Sequence, residues 1–180
     1  GLIAGYFGGK VDAVIMRIAD IQLSFPSMLI ALFIMSVFGR GVGKLLIALT
    51  MVGWVTYART VRGETLSVKK MEYVEAARAI GVKTGRTIFR YILPNCMGPI
   101  IVQTTLRIAA TISNTAALSF LGLGVKEPQP EWGALLSSGR EFIRDSGYLA
   151  TIPGVCIMLT ILALNLLGDG LRDALDPRLK

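Results

Sequence analysis

The chain has 180 residues, 53% of them hydrophobic and 17% charged, a balance that sets aside an ordinary soluble domain in favour of a lipid-facing class. A net charge of +7 would suit a nucleic-acid partner, but the basic residues sit in blocks between long uncharged runs, as loop charges do in membrane proteins, so no nucleic acid is expected. There is no histidine, which excludes the Ser-His-Asp triad, the HExxH zinc helix and most zinc sites.

In chain order, the opening GLIAGYFGG is apolar and lacks an initiator Met, and it is expected to close an earlier span with further helices before it. From Asp12 to Asp20, Val14, Ile15 and Ile18 fall on one side with Asp12, Arg17 and Asp20 elsewhere. That pattern predicts a short cytoplasmic interfacial helix. Four spans follow, near 21–39, 42–61, 96–122 and 148–168, each approaching the roughly 20 residues that cross roughly 30 Å of hydrocarbon. Pro26 should kink the first of them. The second spans only with Lys44 and Arg59 snorkelling from its ends. Pro153 is tolerated near the start of the last.

With four spans, 13 Lys and Arg residues flank one side and 5 the other, leaving Arg107 inside a span. The positive-inside rule then makes the loop 62–95 cytoplasmic. The segment 125–147, with its prolines, Trp132, Glu131, Arg140 and Arg144, is external, polar and solvated. The expected fold is all-α: a polytopic transmembrane helical bundle forming one membrane domain over 1–180.

Catalytic and metal chemistry is missing. GRGVGK at Gly39 to Lys44 fails as a phosphate loop, because Phe38 stands where its first glycine belongs and Leu45 follows the lysine in place of Ser or Thr. GDG at Gly168 to Gly170 has no second intramembrane aspartate to share a proton with Asp169. Cys96 and Cys156 are too few for a metal site and badly placed for a bridge; two structural thiols are expected.

The cytoplasmic loop carries the signal. Val68, Met71, Val74, Ala77 and Ile80 recur every three positions, which predicts a helix with an apolar stripe. Gly81 supplies the positive φ that ends it, and Ile88, Tyr91 and Ile92 predict a second short helix before Pro94, itself suited to the first turn of the next span. Ala76 and Ala77 beside Glu75 would let another protein approach the backbone closely. By helix physics alone, a protein partner and a helix lying on the bilayer remain equally open.

EAA at Glu75 to Ala77, Gly81 and ILPN at Ile92 to Asn95 resemble the EAA loop of binding-protein-dependent ABC importer permeases. MRIAD at Met16 to Asp20, YARTVRGETL at Tyr57 to Leu66, LSFLGLG at Leu118 to Gly124, PEWG at Pro130 to Gly133 and NLLGDGLRDALDPRLK at Asn165 to Lys180 are similar to the dipeptide and oligopeptide branch. Tyr91 stands where many relatives carry His. The resemblance implies a coupling helix, with Tyr73, Glu75, Ala76, Ala77, Ala79, Gly81 and Pro94 at the interface with a cytoplasmic ATPase subunit. It also implies a second, similar permease subunit, two such ATPases that bind ATP and Mg, and an extracytoplasmic substrate-binding protein. No cofactor is expected on this chain, which transmits and does not catalyse. The location implied is the bacterial or archaeal cell (inner) membrane, multi-pass. Peptides are the cargo implied, with nickel, glutathione or another small solute as the alternative.

Arg107 lies midway along its span, where an arginine costs about 2.5 to 3.5 kcal/mol, so it must face protein or water. With Gln103, Thr111 and Asn114 it forms a polar side that is a candidate translocation path, or else it has a structural partner. A gradient-driven secondary transporter is the competing class, but it predicts an intramembrane Asp or Glu relay that the spans lack. Arg172 and Asp176 are spaced for a helix-end ion pair in a cytoplasmic tail.

Overall fold

The computed structural model describes residues 1–125 and 128–175. Among them there is no strand. Helices α1 (Leu2–Phe7), α2 (Gly9–Leu23), α3 (Ser27–Phe38), α4 (Val42–Val68) and α5 (Glu72–Ala79) are followed by the short α6 (Thr84–Arg86) and a π-helical turn, Thr87–Ile92. Then come α7 (Leu93–Phe120), α8 (Trp132–Gly139), a 3-10 turn (Arg140–Phe142) and α9 (Tyr148–Leu175).

The kink expected at Pro26 is a full break between two helices, α2 and α3, which pass as a span only when taken together. Proline lacks an N–H and pushes the residue before it out of the helical region, so α2 cannot run through Phe25 and Pro26. Ser24 ends α2 by donating both its N–H and its hydroxyl to the Asp20 carbonyl, each at 3.0 Å. The Pro26 carbonyl then accepts the Leu29 and Ile30 N–H groups and starts α3. Twelve residues of α3 cover about 18 Å, short of a bilayer.

Helices α4, α7 and α9 have 27, 28 and 28 residues, and α4 and α9 both run past the ends expected for their spans. Among the described helices α9 by itself is long and apolar enough to cross a membrane; α2 and α3 pass only when taken together across their break. Ile152, Val155, Met158, Leu159, Leu162, Leu166 and Leu167 give α9 an exposed apolar exterior. The length of α4 is interrupted by Lys44, Arg59, Arg62 and Glu64, and that of α7 by Arg107.

The chain forms two compact units. The first takes Gly1–Ser24, Gly53–Thr104 and the chain from Gly170 on, and its core is Val68, Val74, Ile92 and Cys96, with Leu2, Tyr6, Tyr91 and Ile100 packed against it. Cys96 is buried and Cys156 half-buried, both as free thiols.

The second unit takes Phe25–Val52 and Thr105–Asp169 around Ala31, Ile34, Met35, Leu45, Ala48 and Leu118. Here α7 ends at Gly122, at φ 80°, whose N–H donates to the Ser119 carbonyl while that of Leu123 donates to Leu118, both at 2.9 Å. This glycine-capped end returns Leu123 to the core that holds Leu118.

The segment expected to be solvated is packed only in part: Arg140, Glu141, Arg144 and Asp145 are exposed, as expected, while Glu131 and α8 make contacts within their unit. The Ser119 hydroxyl donates to the Glu131 carboxylate, Ser137 donates to the Phe120 carbonyl at 3.1 Å, and the Arg140 guanidinium lies 5.3 Å from the centre of the Phe120 ring. Buried Gly133 and Gly139 are what allow α8 to come this close. Lys126 and Glu127 of that segment, and Asp176 of the expected Arg172 pair, lie outside the described residues.

Candidate functional site

The candidate coupling segment is built from α5 outward. Glu72 and Glu75 occupy its first turn and Arg78 its last, the arrangement that complements a helix dipole. Val74 is fully buried and Ala77 is 4% exposed, and Val74 joins the core of the first unit. This corrects the expectation for Ala77: it faces its own chain, not a partner.

Of the other members of the expected stripe Val68 is buried, while Met71 and Ile80 are exposed, Ile80 at 80%. A strict period of three on a helix of 3.6 residues per turn drifts by about 60° at each step, so the stripe cannot stay on one buried face. The face actually presented is Tyr73, Ala76 and Ile80, at i, i+3 and i+7, with Glu75 and Ala79 beside it. Partial burial raises the Tyr73 phenol above its ordinary pKa of 10.0.

Gly81, at φ 79°, ends α5 as expected: its N–H donates to the Arg78 carbonyl at 3.0 Å and that of Val82 to Ala77 at 3.1 Å. This pair of bonds fixes the direction in which the chain leaves the helix. The second helix expected before Pro94 is present as α6 and the π-helical turn Thr87–Ile92, but it is not set off from the helix that follows. Instead α6 passes through the π turn directly into α7.

An α-helix running through Pro94 would crowd the Arg90 carbonyl and leave it without a donor; the wider π turn accommodates this. Pro94 therefore sits in the first turn of α7, as expected, and is exposed. The Asn95 side-chain amide donates to the Tyr91 carbonyl at 2.7 Å. A recess of about 640 Å³ bounded by Glu64, Met71, Tyr73, Asn95 and Pro99 also has Arg172 on its wall, bringing the start of the C-terminal tail beside the coupling segment.

The candidate path residues are placed one by one. Gln103 is half-buried in the first unit; in the second, Arg107 is half-buried and Thr111 and Asn114 are exposed. The Thr111 hydroxyl donates to the Arg107 carbonyl at 2.8 Å.

A set of polar ties between α2 and α4 escaped the sequence reading. The Arg62 guanidinium forks onto both oxygens of Asp12 at 2.5 Å, Arg59 meets Asp20 at 2.6 Å, and the Trp54 indole donates to the Gln22 side-chain oxygen at 2.8 Å. The stretch 12–20 is helical, as expected, within a 15-residue helix laid along α4. Partners 50 and 39 residues apart leave no local pattern to read.

The hydrogen bond from Arg62, with the coulombic pull of Arg62 and Lys69, holds the Asp12 carboxyl below its ordinary pKa of 3.8 against the opposing effect of desolvation. A depressed pKa means that the pair's contribution is complete above 3.8 and is lost as the pH falls through the lowered value. Thermal unfolding of the chain and of Asp12→Asn should therefore differ at pH 7 and at pH 5. The two curves should merge in strong acid, and a gap that persists there would contradict this.

The described residues are all helical or irregular, and α9 carries an apolar exterior long enough to cross a membrane. The family described as the binding-protein-dependent transport system inner membrane component matches residues 1–180, and the chain belongs to it. Over all 180 residues the chain is 48% identical to the dipeptide transport system permease protein of Alkalihalophilus pseudofirmus, covering 59% of that relative. It is 44% identical to the glutathione transport system permease protein of Pectobacterium atrosepticum, covering 60% of it, again with the whole of this chain matched. It is 45% identical to the di/tripeptide transport system permease protein of Pseudomonas aeruginosa, with all of this chain and 59% of that relative covered. The chain thus spans about three fifths of the length of these relatives.

Proposed function

We propose that this chain is the membrane-spanning permease subunit of an ATP-driven ABC importer, lining part of the translocation pathway for di- and oligopeptides. The observation that carries the proposal is the exposed Tyr73, Ala76 and Ile80 face of α5. The helix is fixed to its own chain by Val74 and Ala77 and aimed by the Gly81 turn. A short helix anchored on one side and small on the other suits a groove in a cytoplasmic ATPase subunit. Closure of that subunit on ATP and Mg pushes on α5 and rocks the helices behind it.

The assembly contains a second, similar permease subunit, two ATPases and an extracytoplasmic binding protein, in a bacterial or archaeal inner membrane crossed several times. This chain binds no cofactor and hydrolyses nothing. Two relatives named for dipeptide or di/tripeptide transport support peptide cargo, and the relative named for glutathione supports a short peptide-like solute as the second reading. A nickel complex is a more distant alternative.

The two alanines separate docking from folding. Ala76→Trp should leave the chain folded while the ATPase no longer co-purifies. Ala77→Leu, forced into the buried side, should cost about 1 to 3 kcal/mol of stability. An ATPase retained in full by Ala76→Trp would remove the docking role, and ion-driven uptake without ATP would return the secondary-transporter reading.

Arg107 is assigned to the carboxylate end of the cargo. A charge-assisted hydrogen bond contributes about 1.5 to 3 kcal/mol, so Arg107→Gln should weaken uptake of a free-carboxylate peptide by about tenfold or more and leave a C-amidated one unchanged. Equal losses for both cargos would point to a structural partner instead.

A further inference from the structure

The polar contacts of the first unit line up along the second half of α4. Trp54, Arg59, Arg62 and Lys69 hold, in that order, Gln22, Asp20, Asp12 and the Gly5 carbonyl, the last at 2.7 Å. The order of partners is reversed, so α2 runs antiparallel to this half of α4. Helix α1 is pressed onto the same half: a Cβ added at Gly5 would lie 2.7 Å from the Thr65 Cβ.

Apolar packing does not account for how α2 is held. Ala19 is the one buried residue of α2, while Val11, Val14, Ile18 and Ile21 are exposed on its other side. An apolar contact permits sliding and rotation, whereas a forked guanidinium and carboxylate pair is directional and fixes both. The Arg62 and Asp12 side chains are only 33% and 17% exposed, so this pair is screened less than an ordinary surface pair.

The same, C-terminal end of α4 leads straight to the coupling helix. Backbone bonds from Lys69 to Thr65, Lys70 to Ser67, Met71 to Val68 and Val74 to Met71 continue through the three-residue connection to α5. A push on α5 is therefore received by α4 without a slack linker between them.

We infer that α1, α2 and the second half of α4 form one rigid lever, pinned in register by Arg62 and Asp12, that carries displacement of α5 to α2. Arg62 and Asp12 are positioning residues for coupling and touch neither cargo nor nucleotide. This inference rests on the coupling role proposed above.

The test uses the full complex of permeases, ATPases and binding protein in proteoliposomes, reading peptide taken up per ATP hydrolysed at equal amounts of assembled complex. A purely structural pair changes how much complex assembles, not this ratio. Asp12→Arg and Arg62→Asp should each lower the ratio by about fivefold or more, the lower end of ordinary coupling energies. The double exchange should restore it. Should the exchange variants not accumulate, Asp12→Asn, which keeps the side-chain volume, decides: a lowered ratio supports the lever and an unchanged one overturns it. Singles at the wild-type ratio, or a well-assembled double exchange as poor as the singles, also overturn it. A wild-type complex with no ATP-dependent uptake sinks the transport reading and the lever together, whereas normal wild-type transport with insensitive variants sinks the lever alone.

Discussion

Gly81→Val is expected to lower ATP-driven uptake by about tenfold or more while leaving the chain folded in the membrane; a displacement of α5 that breaks its coupling is worth about 1 to 3 kcal/mol. The reason is conformational and not steric crowding, since a Cβ at Gly81 meets nothing within 4 Å. At φ 79° a β-branched residue is strained by about 1 to 2 kcal/mol, and the chain relieves this by leaving the left-handed region. Doing so breaks the bonds from Gly81 to Arg78 and from Val82 to Ala77, which aim the exit from α5. Gly81 is exposed and outside the core, so folding elsewhere is untouched. Gly81→Asn is the matched control, because asparagine visits this region readily and should retain most transport. The measurement is peptide uptake against ATP hydrolysis in the reconstituted complex. Undiminished uptake by the valine variant would remove Gly81 from the coupling role.

The parts of this fold that were legible in the sequence are those written in charge and local turn chemistry. Uncharged runs located α4, α7 and α9, and Gly81 marked the end of α5, because a missing charge and a required positive φ are both local facts. The helix ends were missed by up to seven residues, since α4 continues through Arg59 and Arg62 once their charges are matched by Asp20 and Asp12. That matching is tertiary and has no sequence period.

The misplacement of Ala77 and Ile80 has a different origin. A stripe spaced by three slants around a helix, and here the connection at Lys69–Met71 also puts Val68 on a different helix from Val74. The buried positions that result are Val74 and Ala77, and Ile80 is released past the end of the helix to the exposed side. Which of the two alanines faces outward was decided by the fold: Ala76 is exposed and Ala77 buried. Helix α8 was missed because polar residues suggested solvent, while its glycines, the feature that lets it pack, carry no hydropathy signal.

Those glycines support the second strong expectation. Gly139→Val should lower the thermal stability of the purified chain sharply and reduce its accumulation in the membrane. A Cβ at Gly139 would lie 2.7 Å from both the carbonyl carbon and the oxygen of Leu149 and 2.8 Å from the Ala150 nitrogen, all backbone atoms that cannot swing aside. Pro153, buried inside α9, has no N–H for the Leu149 carbonyl four residues earlier, so this turn lacks a helical bond that would help it resist or absorb displacement. Overpacking of this kind costs about 1 to 3 kcal/mol or more, and α8 must move off α9 to relieve it. Gly63 is the contrast: it lies inside α4 at an ordinary helical φ with nothing within 4 Å of an added Cβ. Gly63→Ala should hold stability or raise it by up to about 1 kcal/mol through helix propensity alone. Thermal unfolding in detergent separates the two, and a Gly139→Val protein as stable as wild type would mean that α8 does not rest on the first turns of α9.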